Sequence, residues 1–150
     1  DELCEHDATC VSVSAPTPSV GAVMSGENRD AQGVGEGEVS EKGEVAGERR
    51  TLVDFGDKQG CDGMTVDAQG NIYLTAREPS RPGVMVIDPQ GKEVACIATG
   101  APNQSGDKVV GLPSNVEFGI GDEASMLYVT IDLSLYRIPL KVRGYHAQLP

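Results

Sequence analysis

From residue 63 onward, short runs of alternating apolar and polar residues are separated by turns of one chemistry, and the order of the runs repeats. GMTVD (63–67) leads through Asp67-Ala-Gln-Gly70-Asn71 into IYLTA (72–76). The loop EPSRPG (78–83) follows, then GVMVID (83–88), the turn Asp88-Pro-Gln-Gly91-Lys92, and EVACIAT (93–99). Period-two alternation fits half-buried strands, with Met64 and Val66 on one face and Thr65 on the other, and each turn puts Gly where a positive φ is tolerated. The pattern then returns: SNVEFGI (114–120) matches the first run, MLYVTI (126–131) the second and SLYRIPL (134–140) the third. Ser114 falls 52 positions after Asp62 and Tyr128 falls 55 after Tyr73, the difference being the longer turn GDEAS (121–125). A period of roughly 50 residues built of four short antiparallel strands predicts blades of a β-propeller. A plain antiparallel sandwich would give similar strands but no reason for the same order to recur.

The expected architecture is therefore all-β. Residues 63–99 supply one full blade, 114–140 most of another, and TLVDF (51–55) one strand of a preceding blade. A closed ring needs at least about four blades. This stretch reads as about two C-terminal blades of a larger propeller, completed by missing N-terminal blades or by self-association, since its terminal blades would otherwise expose unpaired edges.

Composition changes near residue 50. All six Phe and Tyr residues follow Asp54, whereas residues 1–50 hold no aromatic, no Ile and one Leu, with 11 acidic against 4 basic side chains. So little apolar surface does not offset the entropy of ordering, so 1–50 is expected to be a disordered acidic segment, with GVGEGEVSEKGEVAGE (33–48) a low-complexity linker. A net charge of −11 without a basic patch excludes nucleic acid and anionic membrane as partners. Neither a signal peptide nor a run of ~18–20 apolar residues is visible, so a soluble protein of undetermined compartment is expected.

Asp62 draws attention as a carboxylate just ahead of an alternating strand. The same dipeptide, Asp62-Gly63, is also strong turn chemistry. Ser114 and Asn115 hold the repeat-equivalent positions, so they are expected at the same end of the fold in a supporting polar role or as caps after Pro113. Cys61 and Cys96 read as small structural thiols. Cys4 and Cys10, which enclose His6, could form a disulfide loop or part of a metal site. Asp67, Asn71, Asp88 and Asp122 sit in turns where short polar side chains bond local backbone, and no chemistry is assigned to them. No G-x-S-x-G elbow is present, so a serine-hydrolase mechanism is not expected.

The ordered series CDGMTVDAQGNIYLTA, GVMVIDPQGK, LPSNVEFG, LYVT and SLYRI closely resembles the gluconolactonase and senescence-marker-protein (regucalcin) family of six-bladed propellers, over about residues 50–144. That resemblance implies metal-dependent hydrolysis of a sugar lactone. It also implies a divalent cation, calcium or zinc, held at one end of the central channel by a Glu, an Asn and an Asp, the last falling on Asp62 as metal ligand and catalytic residue. The Glu and Asn motifs are not recognisable in residues 1–50, so the isolated chain is expected to be inactive. The alternative is a non-catalytic propeller module that binds calcium or protein.

Overall fold

The computed structural model describes residues 11–12, 21–25, 33–39, 45–55 and 61–146, and it is built almost wholly of antiparallel strands. The first sheet runs in chain order through β1 (Val11–Ser12), β2 (Gly21–Ser25), β3 (Gly33–Val39) and β4 (Val45–Asp54). The second holds β5 (Cys61–Val66), β6 (Ile72–Ala76), β7 (Gly83–Ile87) and β8 (Glu93–Ala98). The third has three strands, β9 (Pro113–Phe118), β10 (Met126–Ile131) and β11 (Ser134–Pro139). Simple meanders of this kind, laid down one after another, are propeller blades.

Period-two alternation sends the side chains of the second sheet to two different neighbours. Met64, Val66, Ile72, Leu74 and Ile87 form one cluster with Leu52, Val53 and Phe55 from the end of the first sheet. Tyr73, Val84 and Val86 point the other way, into a cluster with Val116, Phe118, Leu127, Val129 and Ile131 of the third sheet. Every residue of β6 is buried as a result. Each fully buried aliphatic chain here, such as Leu74, Val84 or Leu127, contributes about 1.5–3 kcal/mol. The edge of Tyr73 meets Phe118 at 82° with centroids 5.1 Å apart, a favoured aromatic geometry. A sandwich of two sheets would bury only one face of each; here the middle sheet is packed on both.

The two Asp-x-x-Gly turns are repeat copies. Asp67 Oδ1 accepts from Gln69 N and Asn71 N at 2.8 and 3.0 Å, and Asp88 Oδ1 accepts from Gln90 N and Lys92 N at 3.0 and 2.9 Å. Gly70 and Gly91 take φ of +85° and +83°, which closes each hairpin. The GDEAS turn is a short 3-10 helix, Gly121–Glu123, rather than a plain loop.

Residues 33–48 depart from the expected linker. Within them lie β3 and the start of β4, paired from Gly33↔Asp54 to Val39↔Val45. The preceding blade is thus a four-stranded sheet, not the single strand 51–55, and the expectation of disorder through residue 50 is corrected for β1 to β4. Ladder hydrogen bonds join backbone groups, so a Gly- and Glu-rich segment that keeps period-two alternation can still pair. The remaining residues of 1–50, including Cys4, His6 and Cys10, lie outside the described residues.

A strap fastens the second and third sheets at the end of β5 away from Asp62. After β11 the chain turns back so that Ala68 N donates to Arg143 O at 2.8 Å, Tyr145 N to Val66 O at 3.0 Å and Gly144 N to Ala124 O at 2.8 Å. At Gly144 an added Cβ would collide with Cβ and Cγ of Phe118, a ring with no room to retreat. Gly144→Val is expected to cost about 1–3 kcal/mol through overpacking, read as a lower urea midpoint. Tyr73 gives a pH signature as well. Burial, then the charge and hydrogen bond of Asp67, push its phenol up to about 12. The folded state therefore keeps this proton after the unfolded chain has lost it, and stability falls as pH rises from ~10 to ~12. Tyr73→Phe should flatten that alkaline limb by roughly 2–3 kcal/mol, measured by urea unfolding across this range.

Candidate active-site rim

Asp62 and Gly63 do not form a turn. They lie inside β5, where the pairing with β6 slips: Cys61 faces Ala76 and Met64 faces Leu74, so Asp62 and Gly63 together oppose Thr75. Two residues against one is a β-bulge, a device that re-aims a side chain and is common beside active sites. Thr75 holds it. Its Oγ1 accepts from Gly63 N at 2.8 Å and from Asp62 N at 3.3 Å, and donates to Gly63 O at 3.1 Å. The hydroxyl replaces the ladder bonds that the slip removes, and it is fully buried.

The third sheet repeats the device. Thr130 pairs with Asn115 and Ile131 with Pro113, which leaves Ser114 as the extra residue. Ser114 Oγ lies 2.9 Å from Thr130 Oγ1, and Thr130 Oγ1 donates to Asn115 O at 3.4 Å. Thr75 and Thr130 are 55 positions apart, the same offset that relates Tyr73 to Tyr128. Neither threonine stands out locally as a site residue, but YLT and YVT at that offset mark the pair.

The two bulges meet. At Gly63 an added Cβ would run into Asn115 Oδ1 and come within 2.9 Å of Asn115 Cα, so glycine is required by close approach of the neighbouring strand. Asp62, Ser114 and Asn115 thereby lie at one end of adjacent first strands. Further down the same strands Thr65 Oγ1 donates to Glu117 Oε1 at 2.6 Å. Asn115 Oδ1 accepts from Val116 N at 2.8 Å, and Cys61 is half-buried behind Asp62. The Asp62 side chain is 52% exposed and lies 3.6 Å from Arg77 Nη1, which also donates to Pro113 O at 3.3 Å. Nothing in the local sequence REPS marks Arg77 as a neighbour of Asp62.

The resemblance implies calcium or zinc at this rim. Hard cations take several oxygen ligands. The described rim offers one carboxylate with a guanidinium beside it and one carboxamide whose oxygen already accepts a backbone proton. Among the described residues no three His, Cys, Asp or Glu side chains converge on a point. By themselves these residues do not fit a divalent ion.

The profile of the SMP-30/Gluconolactonase/LRE-like region matches residues 31–132. The chain belongs to that family, a class of β-propellers, and the matched range takes in the whole of β3. A similar solved structure is the X-ray structure of a protein provisionally named a gluconolactonase, at 24% identity and a TM-score of 0.56. The likeness covers 83% of this chain and 36% of that one, so this chain spans about a third of the relative's length. A search of curated proteins gave no match. Among the described residues no helix is long and apolar enough to cross a membrane.

Thr75→Val keeps shape but leaves the two bulge N–H groups without an acceptor. It is expected to cost about 1–3 kcal/mol in urea unfolding, with Thr75→Ser recovering most of the loss.

Proposed function

We propose that the propeller to which this chain contributes hydrolyses a lactone, and that Asp62 is the catalytic carboxylate of the rim. The observation that carries this reading is the bulge that turns Asp62 out beside Asn115 in a chain of the gluconolactonase-like family. Water attacks the ring carbonyl carbon while Asp62 takes its proton. The ring C–O bond then breaks, and the proton passes to the departing alkoxide oxygen to leave a hydroxy acid. Asn115, Ser114 and the backbone of the two bulges position the ring. A calcium or zinc ion belongs to this proposal only for the complete ring, with further ligands from outside the described residues, and no step here passes through it.

A propeller module that binds calcium or protein without catalysis is the second reading. It is favoured by one observation, that the described rim holds a single carboxylate aimed outward. Lactone opening by the natural protein, followed by acid release with calcium, zinc or chelator present, separates the two. Asp62→Asn is expected to reduce turnover at least about 100-fold with an unchanged melting temperature. Full activity in that variant, or no opening of any aldonolactone by the wild type, would refute the hydrolase reading.

A further inference from the structure

Arg77 is the first residue after β6, whose last residue Ala76 pairs with Cys61 at the start of β5, so its side chain leaves the sheet at the rim. It reaches across two blades. Nη1 donates to Pro113 O, the first residue of β9, and lies 3.6 Å from Asp62 Oδ2. The first contact orients the guanidinium. The second is too long for a hydrogen bond, and it joins an Asp62 side chain that is half exposed to an Arg77 side chain that is 29% exposed, so it is a solvated pair of little strength.

Both contacts use Nη1. The edge formed by Nε and Nη2 has no partner among the described residues, and that planar pair of donors matches the two oxygens of a carboxylate. A neutral lactone carries no anionic group in its ground state to match that edge. A lactone with a carboxylate on its chain would give the guanidinium a better partner than the solvated Asp62.

We propose that Arg77 is the specificity-determining residue of this rim and selects lactones that carry a carboxylate, such as those of sugar diacids. This rests on the lactone-hydrolase reading for its substrate, and on the geometry alone for its ligand. A strut between blades is the competing role for Arg77. It would disturb neutral and acidic ligands alike and lower the melting temperature.

The test compares the natural protein with Arg77→Gln and Arg77→Lys on glucono-lactone, which is neutral, and glucaro-lactone, which carries a carboxylate. Arg77→Gln is expected to raise the KM for the acidic lactone relative to that for the neutral lactone at least about tenfold. Arg77→Lys should fall between, because an ammonium cannot fork onto a carboxylate. Calorimetric binding of glucarate and of the neutral polyol glucitol gives a readout that needs no turnover. Wild type should hold glucarate at least about tenfold more tightly than glucitol, and Arg77→Gln should abolish the difference. Equal affinity for the two ligands in the wild type, or a preference that survives Arg77→Gln, would overturn the assignment. Arg77-dependent glucarate binding with neither lactone opened would sink the hydrolase reading and leave this one standing.

Discussion

The middle strand Ile72–Ala76 has no solvent face, and the arrangement of the other strands follows from that constraint. A strand whose odd and even residues are both apolar or satisfied must have a packed layer on either side. Ile72 and Leu74 are covered from the first sheet and Tyr73 from the third. Thr75, the polar member of the run, is tolerated at full burial because its hydroxyl completes the backbone of the bulge across from it. The residue that closes the core is thus also the one that shapes the rim, and stability and site geometry meet at a single hydroxyl.

Strand positions in the second and third sheets were legible in the sequence because alternation and the Asp-x-x-Gly turns agree at each step. Observed bounds such as Ile72–Ala76 and Met126–Ile131 match the expected runs IYLTA and MLYVTI. The first sheet was not legible, since β3 reads Gly-Val-Gly-Glu-Gly-Glu-Val and signals strand through backbone pairing rather than large apolar side chains. At the rim, the repeat relates Ser114 and Asn115 to Asp62 and Gly63, and Asn115 lies against Gly63. Asp62-Gly63, however, reads as a turn by dipeptide preference and is in fact a bulge within a strand. The deciding fact is the nearness of Asn115 to Gly63, a contact between residues 52 positions apart that local sequence does not display. Arg77 was invisible for the same reason.

The electrostatics of the rim differ from those of the turns. Asp67 and Asp88 spend their oxygens on neighbouring amides and serve as fixed parts of hairpins. Among the described residues Asp62 has one loose cation beside it, and its side chain is half exposed. Two aspartates of the same hairpin, five residues apart, therefore have opposite fates: one is consumed by the fold and the other is left over for chemistry.

Duplication of the bulge has an evolutionary corollary. Because each copy is pinned by a threonine from its own blade, the projecting position can change identity without touching the β-ladder behind it. One wedge shows an aspartate there and the next a serine. A ring assembled this way holds an annulus of exchangeable letters on an unvarying frame, so new substrate preferences can arise by single codon changes that leave folding untouched.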